Sequence, residues 1–290
     1  MKQLLILSGK GGTGKTMITA AFIKLSEAKA YADCDVDAPN LHLTTDWTVK
    51  PKRTAYFGLP RAEIDPDLCT SCDLCREYCR FFAITVAGNY RVDPLACEGC
   101  GVCEFVCPAK AIRLKPHVDG ENMLYVDGEE VFSTARLNMG SGTSGLLVTK
   151  VKKAMREAAG ETKLAIIDGS PGIGCPVIAS LSGVDLVMVV AEPSLSGLSD
   201  MKRVIETARR FGITTALCVN QYDVNLPNTR SMEDYCQAHG IIVVGRIPFD
   251  SQVVKAMNQG RSIVEIDCKA GEAVRAVYEK TIDVLMRQIN

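Results

Sequence analysis

The chain has 290 residues, 47% hydrophobic and 23% charged, and its 33 Lys and Arg nearly balance 34 Asp and Glu. That length holds roughly two domains and a sizeable core, while the balanced charge excludes nucleic-acid wrapping or membrane adsorption driven by net charge alone. No apolar run approaches the roughly 20 residues that a membrane helix needs, and the apolar residues 4–7 are too few for a signal-peptide core, so a cytoplasmic location is expected.

A strand at residues 4–7, a glycine loop at 8–14, a helix over 15–29 and a short strand at 30–32 open an α/β domain. From about residue 60 to about residue 117 the composition changes to Cys, Pro, Asp and short apolar pieces. Two or three short strands are expected over 118–135, with turn signals at Asp119-Gly120 and Asp127-Gly128. The Gly/Ser stretch 140–145 reads as a mobile linker. Strands at 164–167, 186–191, 216–219 and 241–244 then alternate with helices at 145–159, 199–211, 232–239 and 271–288. This alternation predicts an α/β fold with a doubly wound, mostly parallel sheet. The expected organisation is a discontinuous domain, residues 1–59 and 118–290, with a small α+β insert at residues 60–117.

Gly9-Lys10-Gly11-Gly12-Thr13-Gly14-Lys15-Thr16 fits the G-x-x-x-x-G-K-[ST] pattern, after a strand and before a helix, as a P-loop requires. The backbone N–H groups of Gly11, Gly12, Thr13 and Gly14, with the helix N-terminus behind them, suit phosphate oxygens. Lys15 would neutralise the β- and γ-phosphates of ATP or ADP, and the Thr16 hydroxyl would take one position on Mg²⁺. With Lys10 in place, the loop resembles the deviant Walker A motif of the MinD/ParA/Mrp and nitrogenase-iron-protein superfamily. The resemblance implies that Lys10 reaches across a nucleotide-sandwich dimer to the partner's phosphates, and that ATP favours a homodimer.

Other segments extend the resemblance. Residues 33–40, starting Asp33-Cys34-Asp35-Val36-Asp37, are similar to switch I, which implies that Asp35 orients or deprotonates the attacking water and that Asp33 sits in the Mg²⁺ shell. Asp168-Gly169-Ser170-Pro171-Gly172 is similar to switch II, which implies Mg²⁺ held through water by Asp168 and a γ-phosphate contact from the Gly172 N–H. Asn220 matches the family's adenine-recognising asparagine, and Pro248 the later loop near the base. Phosphoryl transfer needs little beyond cations on the phosphates and a carboxylate on the water, so Lys10, Lys15 and Asp35 are the expected catalytic residues.

Eight of the thirteen cysteines lie between Cys69 and Cys107, and thiols clustered in a cytoplasmic chain point to metal rather than disulfides. The spacing C-x-x-C-x-x-C-x-x-x-C occurs twice, 28 residues apart, with Ile64-Asp65-Pro66 repeated as Val92-Asp93-Pro94. It resembles the bacterial two-cluster ferredoxin, in which the fourth cysteine of each run ligates the other cluster. The resemblance implies one 4Fe–4S cluster on Cys69, Cys72, Cys75 and Cys107, and a second on Cys79, Cys97, Cys100 and Cys103. Zinc fits poorly, since its structural sites draw four ligands as two pairs. Arg80 stands where the pattern has proline after the fourth cysteine. Cys34 and Cys175 flank the switch segments without an assigned role, and Cys218, Cys236 and Cys268 read as small buried hydrophobes. Lys150, Lys152, Lys153 and Arg156 are expected on a solvated helix face.

Together these features describe a nucleotide-gated electron carrier, with an Mrp-like iron–sulfur carrier or assembly ATPase as the alternative. Its partner would be a redox protein or an apo-iron–sulfur protein, with neither nucleic acid nor membrane insertion expected.

Overall fold

The computed structural model describes residues 1–26, 28–45 and 47–287. The ends assigned to the first and last expected helices, with Glu27 and Gln288, lie partly outside them. Two compact units emerge: Met1–Arg53, Asn122–Arg136 and the chain from Gly145 onward form one, and Thr54–Glu121 with Leu137–Ser144 form the other. Among the described residues no helix is long and apolar enough to cross a membrane.

In the first unit β1 (Lys2–Ser8) leads through the glycine loop into α1 (Lys15–Leu25) and then β2 (Ala30–Asp33). After β3 (Lys52–Phe57) and the second unit, the chain returns through β8 (Val118–Asp127) and β9 (Glu130–Leu137), joined by a tight turn at Gly128 (φ +57°). It continues through α4 (Ser144–Ala158), β10 (Leu164–Asp168), α5 (Cys175–Leu181), β11 (Leu186–Ala191), α6 (Leu195–Arg210) and β12 (Thr214–Asn220). The last elements are α7 (Leu226–Ala238), β13 (Ile242–Ile247), α8 (Ser251–Asn258) and α9 (Lys269–Arg287). The sheet order is β13-β12-β11-β1-β10-β2-β9-β8-β3, and the strands from β13 to β9 pair in parallel. Central strands such as β1 and β11 are buried apolar runs, as a sheet covered on both faces demands. The order reverses around β1, so the carboxyl ends of β1, β10 and β2 open one crevice.

Several expectations are corrected. Asp119-Gly120 lies inside β8, because Asp119 is buried with polar partners instead of capping a surface turn. Residues 140–144 are tied down rather than loose: Tyr56 Oη donates to the Thr143 carbonyl at 3.2 Å, and Ser141 Oγ to Asp119 Oδ1 at 3.2 Å. The helix expected from residue 232 begins at Leu226, where Asn225 accepts the Asn228 N–H and Pro227 suits the first turn. Lys152 is not on a solvated face: it is buried on the same side of α4 as Leu147, Val148, Val151 and Met155. Helices α5 and α8 carry too few periodic apolar residues to be legible.

The second unit is built twice over. Its elements are β4 (Arg61–Ile64), α2 (Leu74–Glu77), β5 (Ile84–Ala87), β6 (Asn89–Val92), α3 (Val102–Val106) and β7 (Ile112–Lys115). A shift of 28 residues carries β4 onto β6, the start of α2 onto that of α3, and β5 onto β7. Pairing is antiparallel, β4 with β7 and β5 with β6, so each half of the repeat completes the other through β4 and β7. Positive backbone φ repeats in step: Ser71 (+56°) with Gly99 (+63°), Asp73 (+67°) with Gly101 (+79°), and Phe82 (+53°) with Lys110 (+51°). The buried core is small, comprising Ala62, Ala83, Ile84 and Ile112 with the side chains of Cys75 and Cys97.

Candidate nucleotide site and cysteine centres

Asp168 is the hub of the crevice. It ends β10, in register with Asp33 at the end of β2, and it is wholly buried. One oxygen lies 2.7 Å from Lys15 Nζ and accepts from Thr19 Oγ1 at 2.8 Å, while the other accepts from Thr16 Oγ1 at 2.8 Å. Lys15 is itself buried, so the pair satisfies two charges that would be costly alone. Thr19 was not among the expected residues, although it stands one helical turn beyond Lys15 on the same face.

Asp33 is also wholly buried, and its carboxylate accepts backbone N–H groups from Asp35 (3.0 Å), Asn40 (3.1 Å) and Leu41 (3.0 Å). It therefore folds the 34–41 loop around itself. Burial, and then the charge of Asp168, hold its carboxyl well above the ordinary carboxylate range. Asp35 is half-buried at the mouth and is also raised, chiefly by burial, against the lowering effect of Lys15. Asp37 is exposed. The two switch-like segments are stitched together: Cys34 N–H donates to the Asp168 carbonyl at 2.8 Å, and Ser170 Oγ donates to the Cys34 carbonyl at 2.6 Å. Gly172 (φ +94°) gives its N–H to the Ser8 carbonyl at 2.9 Å.

In the glycine loop, Gly11 and Gly12 are exposed and Thr13 is buried. Gly14 (φ +85°) precedes α1, and a Cβ there would strike the Asn220 amide. Asn220 ends β12, and its Nδ2 donates to the Thr13 carbonyl at 2.8 Å, which ties it to the phosphate loop. Pro248 follows β13 beside exposed Phe249, whose N–H donates to Asp223 Oδ1 at 2.8 Å. Lys10 Nζ lies 2.6 Å from Glu192 Oε1 and within 3.0 Å and 3.3 Å of the hydroxyls of Ser196 and Ser194. Glu192 escaped the sequence reading, although an acid just past a buried strand is the same signal that exposed Asp168. Lys152 is held below the switches: its Nζ donates to the carbonyls of Ser180 (2.5 Å) and Ser182 (2.6 Å) at the end of α5. Burial brings its pKa down to about 8.

In the second unit, Cys69, Cys72, Cys75 and Cys107 line one small hollow, together with Ile64, Tyr90 and Ile112. Cys79, Cys97, Cys100 and Cys103 line another, together with Ala62, Phe81 and Leu114. The same step recurs in the contacts to sulfur: Ala83 N–H donates to Cys79 Sγ at 3.4 Å, and Ala111 N–H to Cys107 Sγ at 3.3 Å. Burial first, then the neighbouring thiols, push Cys75 up, and push Cys103 up to about 11. Among the described residues no three His, Cys, Asp or Glu side chains converge to hold a single metal ion.

A family model described as the CobQ/CobB/MinD/ParA nucleotide binding domain matches residues 4–263. An uncharacterized protein of Methanocaldococcus jannaschii is 32% identical over 283 residues, covering 96% of this chain and 95% of that one. MinD of Pyrococcus horikoshii, solved with Mg-ADP, superposes with a TM-score of 0.58 at 16% identity, covering 98% of this chain and 96% of its own. An iron–sulfur cluster carrier protein of M. jannaschii is 23% identical over 137 residues, covering 43% of this chain and 47% of its own.

Proposed function

Because the chain belongs to the CobQ/CobB/MinD/ParA family of nucleotide-binding proteins, we propose that this P-loop ATPase couples ATP-driven dimerisation and switch movement to electron transfer through two 4Fe–4S clusters. The observation that carries the reading is the sorting of eight thiols, four and four, into two hollows of one repeat-built unit in a chain with a complete P-loop.

The donor chemistry fits two clusters. A single zinc asks for four donors at about 2.3 Å, whereas these thiols surround a space and have apolar walls and backbone N–H groups beside them. Cys69, Cys72, Cys75 and Cys107 would hold one cluster, and Cys79, Cys97, Cys100 and Cys103 the other. Each cluster, when bound, supplies storage for one electron at a time.

On the nucleotide side, Lys15 and the loop amides take the β- and γ-phosphates, and Lys15 exchanges Asp168 for phosphate as it does so. Thr16, and Asp168 through water, would hold Mg²⁺. Asp33, its oxygens occupied by backbone amides, shapes the loop that presents Asp35 to the attacking water. For Gly172 to reach a γ-phosphate its N–H must leave the Ser8 carbonyl, which moves the second switch segment. Lys10 leaves Glu192 to meet the phosphates of a second copy of the chain, and Asn220 and Pro248 border the base.

The test is an EPR-monitored redox titration of the anaerobically reconstituted chain without nucleotide, with Mg-ADP and with a non-hydrolysable Mg-ATP analogue. A shift between nucleotide states is expected. Asp35→Asn should slow hydrolysis by roughly 10²–10⁴, retain ATP binding and stop sustained electron delivery; undiminished delivery would overturn the coupling. A second reading, delivery of an assembled cluster, draws on the partial likeness to the M. jannaschii carrier. Unchanged potentials, with ATP-dependent passage of iron to an apo-ferredoxin, would establish it instead.

A further inference from the structure

A strict 28-residue repeat would make two equivalent redox centres, and the structure breaks that equivalence at one buried position. Arg61 opens β4, and its counterpart 28 residues later is Asn89 at the start of β6. Arg61 is only 9% exposed, whereas Asn89 is exposed and uncharged. From Nη1 the guanidinium donates to the Cys97 carbonyl, and its Nη2 lies 3.4 Å from Asp119 Oδ1. Asp119 is wholly buried, and Oδ1 also accepts from His117 Nδ1 at 2.8 Å and Ser141 Oγ at 3.2 Å. The cation thus stands between Cys97 and its counter-ion and turns its positive side toward the cysteine.

The remaining charges beside the two hollows face solvent. Arg80 and Glu98 are exposed around the Cys97 set, and Asp73 beside the Cys75 set is paired with Arg76 at 2.7 Å. Water and salt screen such groups, while a charge inside the unit acts through a low dielectric. Hydrogen bonding, net charge and solvent exposure set the potential of an iron–sulfur centre. A fixed cation touching the Cys97 backbone favours the more negative, reduced state.

We propose that Arg61 makes the centre held by Cys79, Cys97, Cys100 and Cys103 the stronger electron acceptor, so that an electron entering the chain comes to rest there. This rests on the two-cluster reading above. One electron leaves the Cys69, Cys72, Cys75 and Cys107 centre and one arrives at the Cys97 centre, with no bond formed or broken.

The test is the same EPR titration at one pH, on the full chain and two variants, with iron content measured first. Wild type should show two one-electron steps at least 59 mV apart, a tenfold difference in the reduced-to-oxidised ratio. Arg61→Gln keeps a donor for the Cys97 carbonyl but removes the charge, and should lower the upper step by about that factor while the lower step stays in place. Asp119→Asn removes the counter-charge and should raise the upper step. Opposite signs separate an electrostatic role from packing damage, and Asp119→Asn carries the test if Arg61→Gln does not fold. Coincident steps in the wild type, or variants that move both steps together or in the same direction, overturn the proposal. Iron well below roughly eight per chain counts against the two-cluster reading itself; full loading with equal potentials overturns only the role of Arg61.

Discussion

The two units gather their functional groups by opposite strategies. Around the phosphate loop, three side chains of α1, those of Lys15, Thr16 and Thr19, converge on one buried carboxylate, Asp168 at the end of β10, with Asp33 of β2 in register beside it, and each has its own identity and task. In the cysteine unit nothing converges: one set of elements is used twice, and each hollow takes three thiols from its own half and the fourth from the other. The first arrangement concentrates dependence in a single residue. The second spreads it over both halves, around a small buried core.

The hub supplies the largest expected effect. Asp168→Ala leaves Lys15 buried without a counter-charge, which costs about 3–5 kcal/mol and should cut hydrolysis on the order of 10²–10³. Denaturant midpoints and phosphate release measure both, and a variant of near-native stability would mean that Lys15 has another buried partner. Sharing across the repeat predicts a different outcome for a cysteine. Cys107→Ser removes a sulfur supplied by the second half to the first hollow, so roughly half the iron should be lost. The centre surviving in reconstitution should be that of Cys79, Cys97, Cys100 and Cys103, and loss of that centre instead would refute the exchange of ligands.

Lys152 tests whether the nucleotide unit has a second point of concentration. Lys152→Met strands the buried Ser180 carbonyl, at about 1–3 kcal/mol, and frees that of exposed Ser182 at the end of α5. The pH dependence has a defined sign. The folded-state pKa, about 8, lies below the ordinary lysine value of 10.5, so the unfolded chain binds more protons between them and stability from this group rises across that window. Equilibrium unfolding of wild type and Lys152→Met from pH 8 to 10.5 should show the wild-type advantage growing with pH; a constant gap would assign the effect to packing alone. The smallest effect probes the repeat. Ser71 occupies the left-handed region that Gly99 fills in the other half, so Ser71→Gly should stabilise the unit by about 0.5–1 kcal/mol, the strain relieved less the entropy added. A loss of stability would show that the Ser71 side chain has a role its counterpart lacks.

Much of the nucleotide site was legible because a P-loop is local: eight consecutive residues specify the loop, its glycines and its helix. Asp33 and Asp168 were legible as acids ending apolar strands. Lys152 was not, because a lysine among apolar helical neighbours is ordinarily taken as the solvated side. Its place on the Leu147, Val148, Val151 stripe was nevertheless a signal. Glu192 and the hydroxyls around Lys10 could not be paired with it from the sequence, since more than 180 residues separate them from the lysine. Asp119-Gly120 misled because an Asp-Gly pair marks turns only where the aspartate is solvated.

By itself the sequence determined most of the alternating strands and helices of the first unit, the phosphate loop, the family and the 28-residue recurrence of the cysteines. These depend on neighbours a few residues apart, where backbone geometry and residue type suffice. Only the tertiary structure decided that Asp168 gathers Lys15, Thr16 and Thr19, and that Arg61 is buried where Asn89 is exposed. Those facts follow from strand pairing and burial, which bring distant residues into one low-dielectric space. There a charge must find a partner, and the partner it finds sets its chemistry.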